Sequence, residues 1–525
     1  NYTNITTKNE VYYMYIKFYF AGDFKVNYFI VNNINHKITG IEKSVMNRLK
    51  LFNDFNLEAK IITLAWNSSL HKNAHTFGVS KQVFSMYDFF QESINVQINT
   101  VRDWIAFWED DLNYEIKYVP NTNDLRVYQN GIRIIYASFR DSDYKLLDYV
   151  NYFDTRNVKM KREYYDSRGF LSRVRYMRTK EMPVCDTYLT PSGKVKLEIY
   201  FDPYQEKEVV TRIMLFDYNA KDYTFDNTNE LTAFFYEQLY KDGDLFFSDK
   251  TAITSPPFLI TDKKVPVISV LHSTHVKNNN DIEGSDIKNI YNCVFNNLDR
   301  FSGILVSTVQ QKKDVEKRIQ SKIPVFNIPV GYAQQREPNF TPVVPDGPLK
   351  LMSIARYAPE KQLDHQIRLV NKLKDDFDEI ELHLFGFGGE LKKLKELTDS
   401  LNLENYIKFR GFIPNITNEM HHFHASMITS NMEGFSLALL ESLSNGLPAI
   451  SYDIPYGPSE LIVNGKNGYL VPRNDEDKLY ETVKSYLSNP DLQKTFRDNC
   501  MTESQKYAQS EIIKKWLHLL GEVTS

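Results

Sequence analysis

The chain has 525 residues, with 63 Lys and Arg against 67 Asp and Glu, 42% apolar residues and 25% charged ones. That length exceeds what one hydrophobic core organises and calls for two or three domains, while the near-neutral charge balance excludes the polyelectrolyte surface of a nucleic-acid binder. The cysteines, Cys185, Cys293 and Cys500, are too few and too scattered for a disulfide framework or a zinc site, which points to a reducing, cytoplasmic compartment.

Residues 1–24 hold the aromatic run VYYMYIKFYFAGDF, which carries Lys17 and is shorter than the ~20 residues of a membrane span. It reads as an N-terminal extension, neither signal nor anchor. No apolar run of ~18 residues occurs elsewhere, so the chain reads as soluble, with peripheral membrane association compatible. From 25 to 80 a strand (26–31), a loop with Gly40, a helix with Val45, Leu49 and Phe52 at helical spacing and the strand AKIITLAW make a β–α–β start. From 81 to 244 the texture turns to Tyr- and Phe-rich alternating runs broken by polar turns, an antiparallel β insertion. Buried-strand runs return at DLFFSD, VPVISVLHS, SGILVST and IPVFNIPV, so 25–80 and 245–335 form one interrupted α/β domain.

The segment AQQREPNFTPVVPDGP (333–348) suits an exposed connector. Beyond it, short strands alternate with helices over 336–505, the layout of a doubly wound parallel sheet whose ligands bind at strand carboxyl ends. Residues 506–525 read as a C-terminal helix packing back on the first domain. The fold class is α/β: two Rossmann-like domains facing a cleft, with the antiparallel insertion in the first.

The stretch TSNMEGFSLALLESLSNGLP (429–448) carries the chemistry. Leu437, Leu440 and Leu443 have helical spacing and Gly446 stands where a helix C-cap falls. The N-terminus of that helix, near Gly434, Phe435 and Ser436, offers unpaired N–H groups to phosphate oxygens, with Gly434 allowing close approach. Glu433 stands beside this anion site, and Glu441 can reach along the helix to a polar group such as a ribose hydroxyl pair. In SIARYAPEKQ, Arg356 and Lys361 flank a turn and can converge on one anion, which favours a phosphate clamp without metal. The plainer readings are a helix N-terminal carboxylate for Glu433, solvated turn charges for Arg356 and Lys361, and a surface ion pair for Glu441.

These residues, with YGPSELIVNGKNGYLVP after them, resemble the retaining GT-B glycosyltransferases of the glycosyltransferase-4 type. The insertion, together with TGIEKSVMNRLKLF, YDFFQE, VLHSTHVKN and VSTVQQKKDVEKRI, is similar to the SdgB-like group that glycosylates Gram-positive adhesins, related to the accessory-secretion and wall-teichoic-acid N-acetylglucosamine transferases. The resemblance implies that Arg356 and Lys361 neutralise a nucleotide-sugar diphosphate, Glu433 contacts the transferred sugar, and Glu441 binds the ribose. It further implies that backbone around Phe412 receives the base, Ser436, Leu437 and Ala438 meet the phosphates, and Gly40 lies in the first donor loop. His272, after an apolar strand, sits where the family places a residue near the donor sugar; the plainer reading is hydrogen-bonded scaffold.

The implied activity is metal-independent, retaining transfer of N-acetylglucosamine from UDP-GlcNAc, with no cofactor, to serine hydroxyls of Ser-Asp repeat adhesins. The alternatives are a teichoic-acid (polyol phosphate) glycosyltransferase and a non-catalytic acceptor-binding partner subunit; a homo-oligomer or a related glycosyltransferase is the expected assembly. One expectation comes from charge pattern. Between Arg156 and Lys180 basic residues outnumber acidic ones, and Arg173 and Arg175 share a strand face, a candidate track for an acidic acceptor. The plainer reading is a charged edge strand guarded against aggregation.

Overall fold

The computed structural model describes residues 25–96, 102–178, 181–202, 204, 207–333 and 342–524. The N-terminal extension, Lys180 and residues 334–341 of the proline-rich connector lie outside the described residues.

The runs NYFIV and LFFS bury every residue, so both faces of these strands need a cover, the demand that a parallel sheet with helices on each side meets. They sit at the centre of a seven-stranded sheet in the order Val325–Asn327, Gly303–Val306, Val267–Val270, Leu245–Ser248, Asn27–Val31, Ala59–Thr63, Val83–Ser85, parallel throughout. Helix α1 (Gly40–Asp54) packs beside the first strand, and the Glu42 carboxylate accepts from the Thr39 N–H at 2.9 Å to close its first turn. The insertion boundary at 81 needs correction. Val83–Ser85 pairs in parallel with Ala59–Thr63 as the edge of this first sheet, and the helix Met86–Phe90 follows it. The aromatic texture starts early because Phe84, Tyr87 and Phe90 pack into one cluster with Tyr188, Leu197 and Ile213 of the insertion.

The insertion is a ten-stranded antiparallel meander from Glu115–Tyr118 to Lys221–Phe225. Its hairpin Lys159–Tyr165 and Leu171–Met177 turns at Asp166 to Gly169, where Gly169 has φ 96°. That turn docks on the first domain: Arg168 donates to Asp88 at 2.6 Å and to the Ser93 carbonyl at 2.5 Å.

The expected basic track is overturned by the same geometry. Arg173 and Arg175 do share a face, but both guanidinium groups are largely buried and taken up by neighbours within the protein. The Arg173 guanidinium lies 4.0 Å from the Trp66 ring and 4.1 Å from that of Tyr164. Arg175 grips the buried Asp186 through two bonds of 2.7 Å and reaches Glu208 at 2.8 Å. Nearby cations are matched too, Lys159 by Glu181, Lys161 by Glu163 and Arg156 by Asp154. Counting along the chain misses Asp186 and Glu208 because the first comes from the next strand, Pro183–Leu189, and the second from the loop before Val210–Tyr218.

The second domain is a six-stranded parallel sheet in the order Ile407–Gly411, Ile380–Phe385, Leu349–Ile354, Ala425–Ile428, Ala449–Asp453, Gly468–Pro472. Helix α2 (Leu437–Ser444) stops at Gly446 as its sequence suggests. Gly446 at φ 70° donates to Leu443 O and Leu447 to Ser442 O, both at 3.0 Å, the paired bonds of a Schellman cap. Helix α3 (Gln509–Thr524) brings the Trp516 ring to 5.3 Å from Phe52 and 5.5 Å from Phe247 of the first domain. Phe435, Leu439 and Leu440 join first-domain residues in one apolar cluster, so the sheets face each other across a packed seam. Among the described residues no helix is long and apolar enough to cross a membrane.

Replacing Arg175 by Met leaves the buried Asp186 short of its main partner, a loss of about 3 kcal/mol for a buried pair broken on one side. Calorimetry should find a clearly lower unfolding midpoint, whereas an unchanged midpoint would return Arg175 to a solvent-facing role.

Candidate active site

The site is assembled where strands of both sheets end. Arg356 follows Leu349–Ile354, and Lys361 closes the 3-10 turn Pro359–Lys361. The neighbouring strand ends in FGFGG, a signal that sequence reading passed over. A Cβ on Gly386 would stand 1.9 Å from the Ala355 carbonyl oxygen, and one on Gly388 2.3 Å from that of Tyr357. Backbone therefore packs on backbone there, and Arg356 is held between two such contacts.

Glu433 stands just before α2, as the sequence suggests, with its carboxylate accepting from Lys361 Nζ and from Ser430 Oγ, each at 2.7 Å. Arg356, half-exposed, pairs with Glu360. Glu441, 12% exposed at the side chain, meets Lys43 of α1 at 2.6 Å, a bridge between the domains. One cleft is lined by Gly40, Lys43, Arg356, Lys361, Phe412, Glu433, Ser436, Leu437, Ala438 and Glu441. At its apolar end the Phe412 ring lies 5.8 Å from Phe387, with Phe385 and Ile413 alongside. Such a wall suits a flat heterocycle. The first N–H groups of α2 have no intrahelical partner and open onto this cleft.

Three expected residues stand elsewhere. Phe435 is 2% exposed, its ring 5.8 Å from Tyr507 in the core. Helix α2 starts at Leu437, behind Ser436 at φ 70°, so the segment at 434–435 is not its first turn. Gly434 is required for a different contact than phosphate, because a Cβ there would lie 2.4 Å from the His272 carbonyl oxygen. The His272 ring is turned to Asp249 (Nε2 to Oδ1, 2.8 Å), and Arg48 holds Asp249 through bonds of 3.0 and 2.8 Å. Burial pushes the Asp249 carboxyl up, but Arg48 and His272 outweigh it and hold it below the usual aspartate range. His272 thus belongs to a buried scaffold behind the cleft lining. Arg48 and Asp249 are separated by 201 residues in sequence, beyond the reach of any local pattern.

Residues 335–501 match the family model "Glycosyl transferases group 1". The second domain is a glycosyl transferases group 1 domain. With the facing first domain it makes a GT-B fold, an α/β architecture of two Rossmann-like units. The whole chain is 24% identical over 516 residues to the poly(glycerol-phosphate) alpha-glucosyltransferase of Bacillus subtilis, covering 94% of this chain and 75% of that protein. It is 23% identical over 529 residues to the UDP-N-acetylglucosamine–peptide N-acetylglucosaminyltransferase GtfA subunit of Streptococcus pneumoniae, covering 94% and 99%. Among solved structures, the pneumococcal O-GlcNAc transferase GtfA in complex with UDP and GlcNAc superposes with a TM-score of 0.82 at 21% identity, covering 96% of this chain and 99% of that one. The cleft carboxylates and cations lie within the group 1 domain apart from Lys43.

Glu441→Ala removes the one carboxylate on the helical wall of the cleft named above. Its ion pair with Lys43 joins the two domains at 2.6 Å, and loss of such a partly exposed pair costs about 0.2–1 kcal/mol, so calorimetry should find a slightly lower unfolding midpoint. An unchanged midpoint would leave the Lys43 bridge without a stabilising part.

Proposed function

We propose that the protein is a retaining hexosyltransferase that moves N-acetylglucosamine from UDP-GlcNAc to a serine hydroxyl of a surface protein, Ser-Asp repeats being the acceptor that its sequence resemblance implies. The observation that carries the reading is the grouping of Arg356 and Lys361 with Glu433 and the α2 N-terminus on one cleft wall. In this reaction the base rests on the Phe412 wall and the ribose on Glu441. The diphosphate meets Arg356, Lys361 and the N–H groups at Ser436 to Ala438, where positive charge and the helix dipole stabilise a leaving phosphate. Glu433, positioned by Lys361 and Ser430, faces the transferred sugar. The acceptor hydroxyl arrives on the same face, from the first-domain side, and the departing phosphate takes its proton.

The donor follows the N-acetylglucosaminyltransferase relative named above; the glucosyltransferase relative favours a second reading, a polyol-phosphate acceptor. Both place a sugar on a hydroxyl of a repetitive polymer. The word "subunit" in the pneumococcal relative's name supports assembly with a related glycosyltransferase, and UDP-sugar use suits a cytoplasmic setting. The clamp of basic side chains supplies the compensation that a divalent ion would otherwise give, so the reaction is proposed to need no metal.

Loss of one charge-stabilising donor costs on the order of 10²–10³ in rate, and Arg356→Ala or Lys361→Ala should lose that much in transfer to a serine-repeat peptide followed by mass spectrometry. Chelator should leave the wild-type rate in place. Activity that disappears with chelator and returns with manganese would contradict the clamp.

A further inference from the structure

The loop Asn431 to Gly434, which presents Glu433, belongs to the second domain but is fastened to the first at three points. Asn279 Nδ2 donates to the Asn431 carbonyl at 3.3 Å. Gly434 lies against the His272 carbonyl. Between them Lys288 Nζ stands 3.0 Å from Met432 Sδ, next in sequence to Glu433. The same ammonium donates to Thr274 Oγ1 at 2.6 Å and Ser273 Oγ at 3.2 Å, on the loop that follows His272.

Among the described residues no carboxylate lies within ion-pair distance of Lys288, and its amine is half-buried. Burial lowers its pKa to about 8 against the opposing charge of Glu360. An ammonium withdrawn from water without a carboxylate in contact is costly, which a solvated surface lysine would avoid. Its three neighbours come from both walls of the seam, so its position ties the two loops together. Lys361 holds the Glu433 carboxylate from within the second domain; Lys288, from the first, holds the Met432 side chain beside it.

We infer that Lys288 is a positioning residue for sugar transfer, setting how deeply the Glu433 loop seats against the first-domain loop at 271–274. The inference rests on the proposed role of Glu433 at the transferred sugar. The acceptor approaches from the first-domain side, so the seat of Glu433 relative to that domain governs transfer. Among the described residues, the proposed nucleotide contacts at Phe412 and Glu441 share no bonding partner with Lys288, and Arg356 is linked to this fastening point only through Glu360, which Arg356 pairs with and whose carbonyl accepts from the Asn431 N–H at 2.7 Å.

The test uses the full chain with UDP-GlcNAc and a serine-repeat peptide. Misplacement by ~1 Å costs up to about 100-fold, so Lys288→Met should lower kcat by about 10- to 100-fold while donor KM and UDP affinity stay within about twofold. Lys288→Arg, which keeps the charge and donors, should recover much of the loss. A Lys288→Met enzyme with unchanged kcat, or one whose UDP affinity falls in parallel with kcat, overturns the inference. Should Lys288→Met fail to fold, Ser273→Ala with Thr274→Val removes the seats of the amine and must lower kcat in the same pattern; unchanged kcat there overturns it equally. A wild-type protein that transfers no sugar from any nucleotide donor refutes the proposed function itself, an outcome distinct from a wild type that transfers and a Lys288 variant that matches it.

Discussion

No side chain can stand at position 434, because the His272 carbonyl of the opposite domain occupies its place. That contact sets the spacing of the two sheets at the point where the chemistry is assembled. On the first-domain side it depends on a strand end held by buried charge. Arg48 from α1 and His272 both engage Asp249, and the Arg48 guanidinium is stacked 4.7 Å from Phe29 and 5.0 Å from Trp516 of α3. Such a chain gives little net stability after desolvation, but its fixed directions hold the loop that Gly434 must meet. The C-terminal helix therefore contributes to a site it does not touch.

On the second-domain side, charges along the cleft are matched in pairs: Lys361 with Glu433, Arg356 with Glu360, and Lys43 with Glu441. Each cation and each carboxylate then has a defined place. In the proposed reaction a diphosphate adds two negative charges to this wall, which Arg356, Lys361 and the dipole of α2 are arranged to take up. Lys43 brings a first-domain charge to the same wall, so the cleft is completed only when both domains meet.

The sequence was most readable where local pattern and function coincide. The spacing of Leu437, Leu440 and Leu443 and the stop at Gly446 follow from one helix and its cap, and Glu433, Arg356 and Lys361 lie on turns next to buried strands, so pattern and placement agree. Long-range pairing was not readable. Arg173 and Arg175 look like a basic row because Asp186 answers them from the next strand and Glu208 from a later loop, and Gly434 looks like a phosphate contact because the carbonyl that fills its space lies more than 150 residues earlier in the chain. The edge strand Val83–Ser85 reads as part of the insertion because its aromatic neighbours pack against that insertion and share its texture. FGFGG and the Lys43–Glu441 bridge went unseen for the same reason: their meaning depends on what lies opposite.

In the proposed reaction Glu433 acts at the transferred sugar while the nucleotide is held elsewhere. Glu433→Gln keeps the size of the side chain and its reach to Ser430, removing the charge that faces Lys361. The most direct measurement is sugar transfer by this variant alongside its affinity for UDP. Transfer should fall by on the order of 10²-fold or more, with UDP affinity close to that of the unaltered protein. Turnover that survives the substitution would contradict that role.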